Sequence, residues 1–230
     1  MEKDIGCRID LHMHSILSDG GLLPSEIAQR ASILGYEAIA ITDHVDSSNL
    51  KSIITSIVSV SKDLNKETDL KVIPGVEITH PPISLIGELA CEAKKLGAQL
   101  IVVHGETLAE PVRPKTNLTS LNCGEVDVLA HPGLLTEEEA RLAEQKGVYL
   151  ELSAHRGHCL TNGHVAKLAM KTGARLILNT DFHQPEDFIT QEQALRIALG
   201  AGLSRDEAIK VICDNPRELV RRASGSVSGS

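Results

Sequence analysis

The chain has 230 residues, a formal net charge of −8 and 42% hydrophobic residues, a composition typical of globular proteins. This acidic balance provides no general attraction to nucleic acid or to an anionic membrane, so neither is expected as a stable partner. Aromatic residues make up only 2% of the chain, which argues against a surface on which unpaired bases stack. The five cysteines are odd in number and widely spaced, which favours free thiols and a cytoplasmic location over a disulfide framework.

Short apolar runs rich in β-branched residues recur along the chain with the length of buried parallel strands. The predicted strands cover residues 7–11, 38–42, 71–76, 99–103, 126–130, 148–152 and 175–180. The predicted helices cover residues 24–34, 50–64, 83–96, 136–146, 162–172, 191–199 and 205–212, and a last short helix begins at Asn215 and Pro216. Strands that alternate with helices predict one α/β domain over residues 1–222, closed like a barrel, with an open doubly wound sheet as the alternative. The small polar residues 223–230 are predicted to form a disordered tail.

Histidines and acidic residues lie at or near the carboxyl end of every predicted strand, which is the active-site face of α/β barrels. They are His12 and His14, His44, Glu77, His104, His131, Glu151, and Asp181 with His183. Imidazole and carboxylate are the ligands of zinc, manganese and iron. Burying so many of these groups together without a cation would cost several kcal/mol. The pattern therefore predicts a metal centre.

The motifs D-L-H-M-H-S, S-D-G, T-D-H, G-V-E, V-H, A-H-P and T-D-F-H, in this order from Asp10 to His183, resemble the PHP (polymerase and histidinol phosphatase) family. The resemblance implies a distorted TIM-like (β/α)7 barrel that binds two or three divalent ions of zinc, manganese or iron. It implies three sets of metal ligands: His12, His14, Glu77 and Asp181; a bridging Glu77 with His104 and His131; and Asp19, His44 and His183. Many relatives have His in place of Asp19, and a carboxylate there should make the third set more tolerant of manganese or iron. Asp10 and Asp43 are interpreted as residues that orient neighbouring ligands, with simple strand-end hydrogen bonding as the alternative.

Clustered divalent ions suit the hydrolysis of phosphate esters by a hydroxide that bridges two ions. The expected activity is that of a phosphomonoesterase on a small molecule similar to histidinol phosphate, and the alternative is a phosphodiesterase or nuclease acting on nucleotides. A metal-binding accessory protein without turnover and a metal-dependent amide hydrolase are two further classes. The chain could also form a homo-oligomer.

Two loops carry the predicted substrate contacts. Arg113 and Lys115 could bind a phosphate, the Arg by its planar fork and the Lys as a point charge, or could belong to a solvated loop. His155, Arg156 and His158 follow the sixth predicted strand, in position to touch substrate or to protonate a leaving alkoxide. Arg156 and His158 are the predicted catalytic residues. The sequence leaves the roles of His80 and Glu151 open.

Overall fold

The computed structural model describes residues 5–225, in which parallel strands alternate with helices. The strands are β1 (Ile9–Met13), β2 (Ala38–Ile41), β3 (His44–Val45), β4 (Lys71–Ile78), β5 (Leu100–His104), β6 (Val128–Ala130), β7 (Tyr149–Ser153) and β8 (Leu176–Asn179). The helices are α1 (Pro24–Ile33), α2 (Leu50–Glu67), α3 (Ile86–Lys95), α4 (Thr116–Leu121), α5 (Glu137–Lys146), α6 (Asn162–Thr172), α7 (Gln191–Gly200), α8 (Arg205–Ile209) and α9 (Asn215–Gly225). The strands pair in the order β1-β2-β4-β5-β6-β7-β8, and the two-residue β3 pairs with the end of β4. This nearly closed sheet of seven parallel strands confirms the predicted TIM-like α/β barrel.

Alternation along each strand divides the core into two apolar layers. In β5, Leu100 and Val102 belong to a cluster that collects residues from the strands and fills the barrel. Ile101 and Val103 belong to a larger cluster that packs the outside of the sheet against the helices. This is the arrangement that side chains of period two impose on a sheet covered by helices. Both layers are largely aliphatic, as the low aromatic content requires.

The amino end of the barrel is covered by helix α9. Its buried residues Leu219 and Ala223 belong to the cluster that fills the barrel. Tyr149, the first residue of β7, belongs to the same cluster, and the guanidinium groups of Arg175 and Arg222 lie 5.3 and 5.8 Å from the centre of its ring. The carboxyl end of the barrel therefore remains as the end available for a site.

The seam between β8 and β1 is closed by side chains instead of a continuous ladder. The buried guanidinium of Arg8 donates to the Asp10 carboxylate at 2.8 Å and to the carbonyl oxygen of Leu178 at 2.9 Å. The side-chain oxygen of Asn179 accepts a hydrogen bond of 2.9 Å from the backbone N–H of Leu11. These bonds satisfy buried backbone groups that a ladder would otherwise pair.

At the carboxyl end of this seam, backbone pairing takes over. Met13 and Phe182 form an isolated parallel bridge, and the backbone N–H of His14 donates to the carbonyl oxygen of Phe182 at 2.8 Å. This pairing brings the end of β1 beside the segment that carries Asp181 and His183.

Several helix boundaries follow the sequence signals. Pro24 is the first residue of α1, and Thr136 caps α5 by accepting a hydrogen bond from the backbone N–H of Glu139, whose carboxylate bonds back to the N–H of Thr136. Gly147 ends α5 with a φ of 69°, in the left-handed region that glycine adopts without strain.

Other boundaries differ from the predicted ones. Strand β1 begins and ends two residues later than expected, so His12 lies within it. Helix α4 begins at Thr116, inside residues 110–117, which were expected to form the substrate loop that carries Arg113 and Lys115. Ala223–Gly225 belong to α9 instead of a disordered tail, because Ala223 is buried in the core. Residues 226–230 of that expected tail lie outside the described range. Within residues 5–225, no helix combines the length and apolar character needed to cross a membrane.

Candidate metal centre

The four residues expected to hold a first ion converge at the carboxyl end of the barrel. His12 Nε2 lies 3.4 Å from Glu77 Oε2 and 3.5 Å from Asp181 Oδ1. His14 Nε2 lies 3.1 Å from the same Asp181 oxygen and 3.6 Å from the same Glu77 oxygen. Ligands at about 2.0–2.1 Å from a tetrahedral ion are themselves separated by about 3.3 Å. This first group (His12, His14, Glu77 and Asp181) therefore has the spacing of ligands around one ion.

Glu77 links this group to a second one. Its Oε2 faces His12 and His14, while its Oε1 lies 3.6 Å from His131 Nε2 and has no hydrogen-bond partner among the described residues. The ligand nitrogens of His131, His104 and His158 lie within 4.8 Å of one another. The second group (Glu77, His104, His131 and His158) therefore contains the expected residues and also His158, which was expected to act on the substrate.

The third group contains Asp19, His44 and His183, as expected. Asp19 Oδ2 lies 3.5 Å from His44 Nε2, and Asp19 Oδ1 lies 3.4 Å from His183 Nε2. Asp19 has 54% of its side chain exposed, whereas Glu77 is fully buried. This third group therefore lies nearest to solvent.

Five histidines of these groups are anchored through Nδ1, which leaves Nε2 directed at the centre of a group. The Nδ1 partners are Glu151 for His12, both Thr79 and Glu77 for His44, the carbonyl oxygen of Gly105 for His104, Thr107 for His158 and the carbonyl oxygen of Asp181 for His183. A hydrogen bond at one ring nitrogen fixes the orientation of the ring and can leave the other nitrogen as a lone-pair donor, which is the usual arrangement of metal-bound histidine. The donor set and its anchoring therefore suit divalent ions of the zinc, manganese and iron type.

The pKa values within the three groups show that the buried carboxylates need positive charge beside them. Burial would raise the pKa of Asp181, but the imidazoles of His12, His14 and His131 hold it well below its usual value. Burial would lower the pKa of His44, but Glu77 and Asp19 raise it to about 10. Burial and the neighbouring His44 lower the pKa of His14 to about 4. The buried carboxylates thus recruit protons onto some imidazoles, and divalent ions would supply the same positive charge.

Two of the proposed ligands adopt unusual backbone conformations. His131 has a φ of 27° and Asp181 a φ of 53°, and side chains other than glycine rarely occupy this region. Such strain costs about 1–3 kcal/mol per residue and concentrates at functional sites. His131 is the first residue after β6 and Asp181 the second after β8, where the chain turns to aim a side chain into the groups.

The carboxylates of Asp10 and Asp43 bond to guanidinium, backbone N–H and hydroxyl groups instead of to ligand imidazoles. Asp10 pairs with Arg8 in the barrel seam. Asp43 accepts hydrogen bonds of 2.7 Å from both the N–H and the hydroxyl of Ser15, and one of 2.6 Å from the hydroxyl of Ser18. Asp43 thereby fixes the loop that carries Asp19.

Glu151, whose role the sequence left open, is a carboxylate that orients His12, one of the proposed ligands. It accepts a bond of 2.9 Å from His12 Nδ1, one of 2.8 Å from the side-chain amide of Asn179 and one of 3.1 Å from the backbone N–H of His131. Its buried position in an apolar strand was the available signal, but sequence spacing could not reveal its partner.

The candidate substrate residues after β7 lie beside these groups. His155 and Arg156 line a cavity of about 370 Å³ together with His183 of the third group. A larger cavity of about 540 Å³ lies between α2 and α3 and contains none of the proposed ligands. A substrate hydrolysed by bound metal ions must lie beside the residues that hold them. The smaller cavity, which His183 lines, is therefore the better candidate for the substrate site.

The loop between β5 and α4 contributes to the three groups a residue that the sequence did not single out, while the predicted substrate contacts of Arg113 and Lys115 stay a prediction. Arg113 and Lys115 are exposed, and within residues 5–225 neither makes an ion pair with the three groups. Glu110 of the same loop does reach them, with its Oε2 3.2 Å from His104 Nε2. Glu110 carries no sequence signal of this contact, because it lies six residues beyond the end of β5.

Residues 10–106 match the family described as the PHP domain. An uncharacterized protein of Methanocaldococcus jannaschii is 44% identical over 94% of this chain and 99% of that protein. The DNA polymerase/3′-5′ exonuclease PolX of Bacillus subtilis is 30% identical over 77% of this chain and 34% of PolX. Ribonuclease P protein component 3 of Methanosarcina barkeri is 24% identical over 93% of this chain and 88% of that protein. A chain in the cryo-EM structure of archaeal ribonuclease P with mature tRNA has the same fold, with a TM-score of 0.64, 21% identity and 93% coverage of both chains.

These relatives overturn the expectation of a small-molecule partner without nucleic-acid binding, because a ribonuclease P component and a polymerase/exonuclease are similar to this chain in sequence, and a chain in the structure of ribonuclease P with tRNA has the same fold. The expectation rested on net charge, which averages over the whole surface and ignores the local field of bound ions. With a relative of 44% identity matched over nearly its full length, the matching domain and the observed barrel, the chain belongs to the PHP domain family of metal-dependent hydrolases.

Proposed function

We propose that this chain is a metal-dependent phosphodiesterase that hydrolyses phosphodiester bonds of nucleic acid at the carboxyl end of the barrel. The observation that carries the proposal is the convergence of three adjoining groups of imidazoles and carboxylates, two of which share Glu77. Divalent ions bound there would activate water and offset the negative charge that develops on the phosphate oxygens.

A diester substrate is favoured over a monoester by the relatives, since PolX is named as an exonuclease and another relative as a component of ribonuclease P. The acidic surface does not oppose this substrate, because each divalent ion adds two positive charges at the place where the phosphate would lie. The exposed third group and the adjoining cavity also leave room for a nucleoside on one side of the phosphate.

Arg156 and His158 have distinct roles in this proposal. Arg156 is exposed at the rim of the cavity beside His183. There its planar guanidinium can bind two non-bridging oxygens of the phosphate. Burial, together with the nearby His131, lowers the pKa of His158 to about 4, so its imidazole is neutral near pH 7. A neutral His158 acts as a metal ligand or proton acceptor more readily than as the acid that protonates a leaving group.

The test is a comparison of substrates with the Mn²⁺-loaded protein. Single-stranded RNA and DNA oligonucleotides labelled at either end would be assayed beside bis(p-nitrophenyl) phosphate and p-nitrophenyl phosphate. We expect the diesters to be hydrolysed, and the activity to be lost in His12→Ala and Asp181→Ala. Hydrolysis of the monoester alone, or diester hydrolysis that persists in both variants, would contradict the proposal.

A further inference from the structure

Glu110 is an exposed loop residue whose carboxylate reaches the buried second group. It has 44% of its side chain exposed and lies between β5 and α4, where Pro111 follows it. Its Oε2 lies 3.2 Å from Nε2 of the buried His104 and 3.3 Å from Nε2 of His80, and its Oε1 lies 3.8 Å from His158 Nε2. Glu110 therefore contacts two histidines of the second group from the solvent side.

The contact with His104 requires a cation between the two atoms. His104 Nδ1 lies 3.1 Å from the carbonyl oxygen of Gly105, which can only accept, so Nδ1 carries the proton. In the neutral ring Nε2 then presents a lone pair toward the carboxylate oxygen. Two lone-pair groups 3.2 Å apart repel each other unless a second proton or a metal ion lies between them. The separation of 3.2 Å also suits two neighbouring ligands of one ion, and manganese and iron accept the five ligands that Glu110 would complete.

We propose that Glu110 is an additional ligand of the ion held by the second group, and that the substrate phosphate displaces it. This inference rests on the proposed metal-dependent function. The loop delivers the carboxylate to the coordination position on the solvent side, which is the position that a phosphate oxygen would need. Carboxylate and phosphate oxygens are both hard anionic ligands, so one can replace the other on the same ion.

The surroundings of Glu110 favour a ligand that can leave. Glu77 is fully buried within β4, whereas Glu110 is held from outside by His80, which is itself 40% exposed. Displacement of Glu110 would therefore bury no unpaired charge, because both it and His80 would remain hydrated. Until substrate binds, the carboxylate would keep the second ion fully coordinated.

The first measurement is a titration of the metal-free protein with Co²⁺. Binding is detected both by calorimetry and by the visible spectrum of the bound ion. Three proteins are compared with the wild type: Glu110→Gln, His104→Ala and, as a matched loss of one surface charge, Glu125→Gln. We expect Glu110→Gln to weaken, by about 10–100-fold, the same binding event that His104→Ala removes, and to change its spectrum. Glu125→Gln should match the wild type.

The second measurement is the affinity of the Co²⁺-loaded proteins for inorganic phosphate, at Co²⁺ concentrations that saturate every variant. Phosphate should bind more tightly to Glu110→Gln than to the wild type, because it no longer competes with a carboxylate. An unchanged Co²⁺ titration in Glu110→Gln, or phosphate affinity that is not increased, would overturn the inference. If the wild type binds no Co²⁺, the proposed function itself fails, and this outcome is distinct from the other two.

Discussion

Glu151 accepts a hydrogen bond of 2.9 Å from His12 Nδ1 across 139 positions of sequence, and both residues are fully buried. Because a carboxylate accepts, this bond fixes the proton of a neutral His12 on Nδ1 and directs the lone pair of Nε2 at Glu77 and Asp181. His12 Nε2 has no hydrogen-bond partner among the described residues. The pair therefore prepares one imidazole for a metal ion.

Loss of the Glu151 carboxylate should weaken metal binding. Glu151→Gln places an amide N–H₂ among donors from His12, Asn179 and His131, so at least one buried donor is left unpaired. We expect the affinity of the first group for Mn²⁺ to fall by about 10–100-fold in a calorimetric titration. Glu144→Gln, which removes an exposed carboxylate from α5, serves as the control. Equal affinities in the two variants would refute this role of Glu151.

The ion pair in the barrel seam should contribute strongly to stability. Arg8→Met leaves the buried Asp10 carboxylate without its partner, and we expect the free energy of unfolding to fall by about 3–5 kcal/mol in urea titrations. Arg30→Met is the matched control, because Arg30 pairs with Glu26 on the exposed face of α1, and its loss should cost under about 1 kcal/mol. Similar losses in both variants would contradict a special role for the seam.

The penalty of Arg8→Met should also depend on pH. Burial raises the pKa of Asp10 above its unfolded value of 3.8, and the positive charge of Arg8 opposes this increase. When the folded pKa of a carboxyl is raised, the free energy of unfolding falls as the pH rises from the unfolded pKa to the folded pKa. Removal of Arg8 raises the folded pKa of Asp10 further and so widens this pH interval. We therefore expect the destabilisation to be larger at about pH 7 than at about pH 5, because protonated Asp10 needs no cation. A penalty that grows on acidification would exclude this explanation.

Gly133 should be intolerant of any side chain. It has a φ of 65°, and a Cβ atom there would lie 1.8 Å from the carbonyl oxygen of Glu106, so the loops after β5 and β6 could not approach as they do. Gly147 has nearly the same φ of 69° but nothing within 4 Å of an added Cβ. Gly147→Ala should therefore lower the free energy of unfolding by only about 1–2 kcal/mol, which is what alanine loses in the left-handed conformation. Gly133→Ala should cost several kcal/mol more in thermal unfolding, and equal shifts in melting temperature would contradict the close approach.

Metal ions should stabilise the folded chain. Removing them with a chelator leaves the buried carboxylates of the first group to be neutralised by protonated imidazoles alone. We expect the melting temperature to fall on chelation and to recover with Mn²⁺, since a ligand at about 100 times its Kd adds about 2.7 kcal/mol. Asp181→Asn should reduce this response. A melting temperature that chelation leaves unchanged would argue against bound ions.

The barrel and most of the candidate ligands could be inferred from local patterns in the sequence. Apolar β-branched runs separated by helical patterns are local signals, and parallel strands joined by helices place their carboxyl ends on one face. The positions of His12, Glu77 and Asp181 at or near strand ends therefore predicted one metal centre, and only the family resemblance divided the candidate ligands into three sets. Boundaries were less certain: α4 was not predicted, because its six residues lack an apolar period long enough to recognise.

Which side chains meet depends on how distant elements pack in three dimensions. Glu151 reaches His12, Arg8 reaches the carbonyl oxygen of Leu178 across 170 positions, and Glu110 reaches His104 from a loop. None of these contacts has a local signature, because each depends on closure of the barrel and on the path of a connecting loop. Sequence spacing fixes where a residue lies along its strand or helix. The partner of a buried charge is fixed by the packing of distant elements, since burial makes an unpaired charge costly wherever in the chain its partner lies.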